Sequence, residues 1–250
     1  MPINYARRLT GRQRAVASNR QLGVVLAFVA GAANAGGFVA VGQYTSHMTG
    51  IVSAMADNLA IGALSLVLAG GGALAAFVAG AACCAIMINY ARRRQMHGEY
   101  AFPLLLEAVL LLCFGVLGTW LADIDVLVLP ATVTLLCFMM GLQNAVITKL
   151  SSAEIRTTHI TGIVTDIGIE LGKAVYWNAG QAAAPPVVAN RPRLRLLCAL
   201  ALAFFGGGLL GALGFARIGY LATVPLALLL VLMAIVPVLD DLKARTALLR

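Results

Sequence analysis

The stretch TSHMTGIV at residues 45–52 returns as TTHITGIV at residues 157–164, and each copy follows a G-x-x-N-A segment. The two G-x-x-N-A segments, at residues 31–35 and 141–145, match at an offset of 110, and the motif itself matches at an offset of 112. Motifs that recur at a nearly fixed offset indicate duplicated structural units. The chain is therefore interpreted as two related halves.

The composition predicts a membrane protein. Apolar residues make up 61% of the 250 residues and charged residues only 11%. Apolar runs of about 20 residues recur, which is the length that a hydrocarbon core of about 30 Å requires. A soluble domain of this size would need more charge to cover its surface. We expect an all-α, polytopic helical membrane protein. The predicted apolar segments are residues 22–43, 51–69, 73–90, 103–122, 126–148, 162–178, 195–216 and 219–239.

The segments divide evenly between the two halves. Residues 1–250 form a single integral membrane domain, with a first repeat at 22–122 and a second at 126–239. Residues 1–21 are a basic arm and residues 240–250 a tail, and both are expected to be cytoplasmic because Lys and Arg accumulate on that side. The glycine runs at 70–72 and 206–208 could be hinges or tight helix crossings, and packing is the favoured interpretation.

The distribution of charge favours six full crossings over eight. If all eight segments cross, twelve Lys and Arg lie inside and six outside, with Arg92–Arg94 outside. If the two segments that carry the repeated motif dip into the membrane and return, seventeen lie inside and only Arg217 outside. The positive-inside bias favours the second arrangement, with two broken or re-entrant segments. Eight full crossings remain the alternative.

Re-entrant segments have a geometric consequence. Each repeat then contains three crossings, and an odd number in the first repeat inverts the second repeat relative to it. The two dipping segments would enter from opposite faces and bring their helix starts together at mid-depth. Secondary transporters commonly have such inverted repeats, with discontinuous helices around a midplane site.

The repeated motif supplies the candidate substrate-binding residues. A threonine and a glycine precede each apolar run, as Thr49-Gly50 and Thr161-Gly162, which is typical of a helix start. The unsatisfied N–H groups and positive dipole end at such a start attract anions and carbonyl-rich solutes. The alternative is that each threonine only caps its helix and each glycine only permits close packing.

Two histidines precede these helix starts, His47 and His159. A histidine inside a membrane often only forms a hydrogen bond between helices, but imidazole can also exchange a proton near physiological pH. The amides Asn34, Asn144 and Gln143 are further candidates, either as links between helices or as the lining of a polar cavity.

Acidic residues inside the apolar segments are candidates for ion coupling, because a charge in hydrocarbon is unfavourable without a function or a partner. These residues are Asp57, Glu107, Asp166 and Glu170. Asp57 and Asp166 are favoured as the coupling acid because they lie one to two turns from the helix starts. Glu170 could instead form an ion pair with Lys173, three residues further along the same helix face.

Several other functions are not expected. The five cysteines lie within apolar runs and are interpreted as buried thiols, and no metal site or cofactor is predicted. Nucleic-acid binding is not expected because the net charge of +8 falls between the apolar runs and lacks interleaved aromatic residues. No nucleophile with a positioned base is evident, so we do not expect an enzyme. The expected partners are membrane lipids and a small-molecule or ion substrate, and a homodimer is an option.

The chain resembles the YoaK-like family of bacterial inner-membrane proteins, a group without an established function. The resemblance rests on residues 31–35, on SHMTG at residues 46–50, on GLQNA at residues 141–145 and on TTHITG at residues 157–162. It implies a multi-pass protein of the bacterial inner membrane. Members often carry Asp in place of Asn34 and Asn in place of Ile51.

The favoured functional hypothesis is a secondary transporter, with proton coupling as an option, for a small polar or anionic solute bound at a midplane site between the repeats. The alternatives are a passive channel and a non-transporting membrane scaffold or partner subunit. A channel would conduct without accumulating its solute. A scaffold would use the polar repeats only to hold helices together.

Overall fold

The computed structural model describes residues 16–120, 125–150, 159–178 and 185–248, and these residues contain helices and no strand. The helices are α1 (Val16–Val41), α2 (Met48–Ala60), α3 (Leu64–Arg93), α4 (Ala101–Trp120), α5 (Asp125–Leu150), α6 (Ile160–Val175), α7 (Arg191–Ile218), a short 3-10 helix (Gly219–Ala222) and α8 (Thr223–Leu248). The prediction of an all-α membrane protein is confirmed.

Five stretches of the described chain are long and apolar enough to cross a membrane. The last of them, Arg191–Asp241, has 51 residues and contains both α7 and most of α8. The chain turns between these two helices at Gly219, whose φ of +58° suits a residue without a side chain. Helices α2 and α6, with 13 and 16 residues, are not among the candidate spans.

The predicted boundary between the second and third segments is wrong. The break lies at residues 61–63 and not at the glycine run 70–72, which is inside α3. Helix α2 ends because Gly62 adopts a φ of +76° and the Ala63 N–H donates to the Asn58 carbonyl, which is the geometry that closes many helix ends. The glycine run remains helical because it packs on α2, where a Cβ at Gly70 would lie 2.5 Å from Met55.

The long helices pack mainly across the two halves of the sequence. Helix α1 packs on α7 at a glycine crossing, where a Cβ on Gly31 would lie 2.0 Å from the Phe204 carbonyl oxygen. A Cβ on Gly207 would lie 2.0 Å from the Phe28 carbonyl oxygen. The absence of side chains at both positions lets the two backbones touch, which is a common way for helices to associate in membranes.

The same crossing occurs between α3 and α5. A Cβ on Gly80 would lie 1.9 Å from the Phe138 carbonyl oxygen, and one on Gly141 would lie 2.0 Å from the Phe77 carbonyl oxygen. Gly31 and Gly141 occupy the same place in the two repeated segments, so equivalent residues make equivalent contacts. Each glycine crossing therefore joins one long helix of the first half to one long helix of the second half. The packing interpretation of the second glycine run is confirmed at Gly207.

Hydrogen bonds between α1 and α5 establish their relative direction. The Asn19 side-chain amide near the start of α1 donates to the Leu150 carbonyl at the end of α5. Further along, the Gln143 amide donates to the Leu26 carbonyl. Because the residue numbers rise on one helix as they fall on the other, α1 and α5 are antiparallel.

The same reasoning applies to α4 and α8. Asp241 near the end of α8 accepts from the Gly98 N–H just before α4, while Thr223 at the start of α8 lies against Gly115 near the end of α4. Helices α4 and α8 are therefore antiparallel. In contrast, Gly207 and Gly211 of α7 contact Phe28 and Ala32 of α1 in rising order, so α1 and α7 are parallel.

These directions gather the basic residues at one end of the bundle, called the basic end. Tyr100 connects three parts of it, because its hydroxyl donates to the Lys149 carbonyl and accepts a short hydrogen bond from Arg92. The starts of α1 and α7 and the end of α8 lie there too. Of the Lys and Arg side chains that the structure describes, only Arg217 lies at the opposite end.

Candidate functional site

The two short helices begin in the same way. His47 and His159 occupy the N-cap positions of α2 and α6, with nearly equal backbone angles of φ −90°, ψ 68° and φ −83°, ψ 61°. Neither histidine side chain caps its own helix. Thr49 and Thr161 do not cap the helices, which was the alternative interpretation of these residues, since both lie inside the first turn. The histidines are the N-cap residues because their carbonyls accept the first helical hydrogen bonds, from the Ile51 and Ile163 N–H groups.

The side chains at these helix starts face open space. His47, Thr49, His159 and Thr161 are all exposed in the isolated chain. Gly50 lies under the His47 ring, where a Cβ would come within 2.2 Å of it, whereas Gly162 has nothing within 4 Å. The first helix start is therefore packed more tightly around its histidine than the second.

A buried amide holds the first helix start against α1. The Ser46 hydroxyl donates to the Asn34 side-chain oxygen at 2.9 Å, and Asn34 is only 8% exposed. Beside it Thr45 is completely buried, and its hydroxyl has no hydrogen-bond partner in the described structure. Thr45 and Ser46 belong to the repeated motif, but neither was among the predicted site residues. Their counterparts, Thr157 and Thr158, lie outside the described residues.

The second set of amides has different partners. The Asn144 amide donates to the Met140 carbonyl of its own helix, and Gln143 is buried against α1. The Gln143 side-chain oxygen is buried and has no hydrogen-bond partner among the described residues. Gln143 therefore connects α1 and α5, which is one of the two roles considered for these amides.

The expected convergence at one midplane point is not observed for the asparagines. Because Leu26 lies opposite Gln143 in an antiparallel pair, Asn34 is level with residue 135, nine residues from Asn144. At 1.5 Å per residue the two amides are about 13 Å apart along the helix axes. The duplicated asparagines therefore mark two candidate half-sites at different depths, on either side of the middle of the bundle. This separation could not be predicted from the sequence, because it depends on the register of α1 against α5.

The four candidate acids have four different surroundings. Asp57 is exposed on α2, and Asp166 on α6 forms an ion pair with Arg193 of α7 at 3.0 Å. Glu170 is buried and paired. Glu107 on α4 is completely buried, and neither of its oxygens has a hydrogen-bond partner in the described structure. The sequence favoured Asp57 and Asp166 by their distance from the helix starts, and their packing now distinguishes all four acids.

Glu170 fastens α6 to the start of α7. One oxygen of its carboxylate accepts from Lys173 at 2.9 Å and the other accepts from the Asn190 N–H at 2.7 Å. These two hydrogen bonds hold the pKa of Glu170 below its ordinary value, and the bond from Lys173 has the larger effect. Asn190 in turn caps α7 by accepting from the Arg193 N–H. The arrangement supports the ion-pair interpretation of Glu170.

Replacing Glu170 by Gln is expected to lower the thermal midpoint at neutral pH but not in acid. A carboxyl whose pKa is lowered by folding stabilises the fold above its unfolded pKa of about 4.3, and this contribution disappears as the pH falls through the lower folded pKa. Thermal unfolding of the wild type and Glu170→Gln at several pH values measures the difference. The exposed Asp57→Asn is the control. An equal gap between wild type and Glu170→Gln at all pH values would contradict the assignment.

A cleft lies along α2, between α3 and the start of α5. Its volume is about 440 Å³, within the usual range for sites that bind small molecules. Apolar side chains such as Ile51, Met55 and Val133 line most of it, and Asn58 and Thr134 supply polar groups. Because it contacts the first third of α5, the cleft lies in the half of the bundle away from the basic end. Its lining comes from three helices, and for this reason no motif in the sequence indicates it.

Metal chemistry has no visible support in the part of the chain that the structure describes. No group of three or more His, Cys, Asp or Glu side chains there is placed to hold a metal ion. The five cysteines are free thiols.

Comparison with known proteins identifies one family. A family model described as "Protein of unknown function (DUF1275)" matches residues 22–236. No curated protein matches the chain, and no solved structure matches it.

Proposed function

The chain belongs to the DUF1275 family of proteins of unknown function, and we propose that this member is a secondary transporter for a small polar or anionic solute. In this proposal the two halves are inverted repeats in the inner membrane of a bacterium. The basic end faces the cytoplasm, and both termini lie on that side. The solute binds at the helix starts of α2 and α6.

The directions of the helices support the inversion. Helices α1 and α5 carry equivalent motifs but run antiparallel, as Asn19–Leu150 and Leu26–Gln143 require. Eight full crossings would make these two helices parallel. If α2 enters and returns, only α3 and α4 cross between them, and two intervening crossings make α1 and α5 antiparallel. The observed direction therefore agrees with six crossings and two segments that enter and return.

The lengths of α2 and α6 support re-entry. With 13 and 16 residues they extend about 20 Å and about 24 Å, less than the hydrocarbon core of about 30 Å. Helix α6 is held at the basic end through Glu170 and Asn190, and α2 packs beside the cleft in the other half. The two short helices would therefore enter from opposite faces.

The helix starts supply the binding chemistry. An α-helix leaves its first N–H groups without partners inside the helix, and the dipole makes that end attractive to negative charge. His47 and His159 stand at these starts with side chains that can donate, accept or carry a proton. The single observation that carries the proposal is this pair of short helices, each beginning at an exposed histidine, in two halves whose first helices, α1 and α5, run antiparallel.

Cysteine accessibility from the two sides of sealed vesicles tests the architecture. On a Cys-light background, single cysteines replace exposed Tyr44, Val164 and Arg93 in turn. We expect Tyr44→Cys to react from one side, and Val164→Cys and Arg93→Cys to react from the other. Reaction of Tyr44→Cys and Val164→Cys from the same side would contradict the inversion.

Uptake into proteoliposomes tests the activity. A panel of labelled small anions and zwitterions is offered with and without a pH gradient, and accumulation of a member above its outside concentration is expected. Joint replacement of His47 and His159 by Ala should reduce that uptake about tenfold or more, which corresponds to about 1.4 kcal/mol of lost binding. His97→Gln, which replaces the remaining histidine and keeps a side-chain donor for Asp241, is the matched control.

The same experiment separates the alternatives. A solute that equilibrates without ever accumulating would indicate a channel. Absence of any flux, together with lower thermal stability of the double histidine variant, would indicate a scaffold. Unchanged accumulation by the double variant would exclude the two histidines from the mechanism.

A further inference from the structure

Glu107 is a carboxyl group that the helix-start sites do not use. It lies seven residues into α4, has no exposed surface, and neither oxygen has a hydrogen-bond partner in the described structure. Asp166 is paired with Arg193, and Glu170 is paired with Lys173. A fully buried carboxylate without a partner is strongly unfavourable, so the group is held as the neutral acid.

A second buried polar atom lies at the same level. Tyr100 at the start of α4 bonds to the Lys149 carbonyl near the end of α5, and the two helices then run in opposite directions. Seven residues along each helix bring Glu107 level with residue 142, next to Gln143. The Gln143 side-chain oxygen is also buried and, within the described chain, has no hydrogen-bond partner. Two unsatisfied polar groups at one depth point to a site for a proton or a water molecule rather than to an isolated packing defect.

The charged and titratable groups around Glu107 are few. On α3 the buried Cys84 interacts electrostatically with Glu107 and with Lys149 of α5, and Cys83 lies beside it. On α8 the register set by Asp241 and Gly98 places residues 227–234 opposite Glu107, and none of these residues is titratable. On α5 the segment from residue 139 to residue 147 contains no ionisable side chain. The proton of Glu107 therefore has no nearby carboxylate or histidine on these faces to accept it.

Glu107 has no equivalent acid in the second half of the sequence. Helix α8 stands in the place of α4 in the second half, and its acidic residues are Asp240 and Asp241, at its far end. The helix starts occur twice, whereas this buried acid occurs once. One chain therefore has two candidate half-sites for solute but a single buried acid at this depth.

We propose that Glu107 is a proton-binding site that exchanges with water from the basic end, and that it is the coupling acid of the transporter. The coupling role rests on the proposed function, whereas the proton site does not. In the exchange the O–H bond of the carboxyl breaks, its electron pair stays on the carboxylate, and the proton passes to an entering water molecule. Seven residues separate Glu107 from Tyr100, so that water travels about 10 Å from the basic end.

Infrared difference spectroscopy of the full chain in liposomes tests the proton site without any solute. The carbonyl stretch of a protonated buried carboxyl is followed from about pH 5 to about pH 9, the range in which a perturbed carboxyl exchanges its proton. We expect a band in the wild type that disappears reversibly as the pH rises. The band should be absent in Glu107→Gln and present in the control Asp57→Asn.

Two infrared outcomes would overturn the assignment. A band that persists at every pH would mean that the proton is locked in place, and no band at any pH would mean that the carboxyl is never protonated. If Glu107→Gln fails to fold, Glu107→Asp replaces it, because a shortened acid should shift the band without removing it. An unshifted band in Glu107→Asp would assign the signal to another group.

Uptake measurements then test the coupling role. In Glu107→Gln we expect accumulation driven by the pH gradient to fall about tenfold or more, while exchange of solute between two equilibrated sides continues. Full gradient-driven accumulation in Glu107→Gln would overturn the coupling role. A titrating band in a protein that moves no tested solute would support the proton site and count against the proposed function alone.

Discussion

Gly207→Ala is expected to lower the free energy of unfolding by about 3 kcal/mol, because the new methyl group would overlap the backbone of α1. A Cβ at this position lies 2.0 Å from the Phe28 carbonyl oxygen, and the atom in the way is backbone. Removing this overlap therefore requires α1 and α7 to move apart. Thermal unfolding of the detergent-solubilised protein measures the effect. The remaining folded fraction is read from the monodisperse size-exclusion peak after heating.

The glycine run itself supplies the control. Gly206 adjoins Gly207 in the same helix, and a Cβ there meets nothing within 4 Å. Gly206→Ala should be neutral or stabilise the helix by about 0.5 kcal/mol, because alanine has less backbone freedom to lose than glycine. Equal effects at the two neighbouring positions would show that the crossing does not hold α1 and α7 together as described.

The same prediction applies to the equivalent crossing between α3 and α5. Gly80→Ala should destabilise about as strongly as Gly207→Ala, since its Cβ lies 1.9 Å from the Phe138 carbonyl oxygen. Gly72→Ala, in the same helix with open space around it, is its control. A large difference in the free energy of unfolding between Gly80→Ala and Gly207→Ala would show that the α1–α7 and α3–α5 crossings are not equivalent.

Asp241→Ala is expected to lower the free energy of unfolding by about 3 kcal/mol. The Asp241 carboxylate is 6% exposed and accepts the His97 and Gly98 N–H groups at 2.6 and 2.8 Å. Removing it leaves two backbone donors without their acceptor and frees the turn between α3 and α4 from α8. That turn contains Gln95 at a φ of +56°, a conformation that its surroundings must hold.

Thermal unfolding and limited trypsin digestion measure this change. Cleavage at the Arg92–Arg94 cluster beside the turn should accelerate in Asp241→Ala. Asp241→Asn should fall between wild type and Asp241→Ala, because the amide retains one oxygen acceptor but only one. The exposed Asp57→Ala is the matched control and should change neither quantity. Unchanged cleavage in Asp241→Ala would mean that the turn is held by other contacts.

Much of the fold can be predicted from the sequence because the solvent imposes it. In a bilayer every backbone polar group must be satisfied inside its own segment, so long apolar runs become helices wherever they occur. The repeated motif adds where equivalent elements begin, and both short helices do start within it. The helix boundary at residue 61 was not predicted, because a single Gly at positive φ ended α2 while three consecutive glycines in α3 remained helical.

The candidate site was only partly predictable. The sequence identified the two histidines as a pair, and the structure places both at helix starts with matching backbone angles. It ranked Asp57 above Glu107 only by distance from a helix start, and it could not predict their burial, because both are carboxylic acids with similar apolar neighbours along the chain. Burial distinguishes them, and burial depends on which helices pack beside each residue.

The sequence by itself determined the class of protein, most of the helical segments and the repeated motif. These properties follow from composition and local pattern, because hydrocarbon requires apolar helices and a copied segment remains visible as a copy. Only the tertiary structure decided that α1 and α5 run antiparallel, that the duplicated amides lie about 13 Å apart, and that Glu107 is sealed between helices. The register and neighbours of a helix depend on contacts between residues far apart in the chain, such as Gly31 with Phe204, and no local pattern contains them.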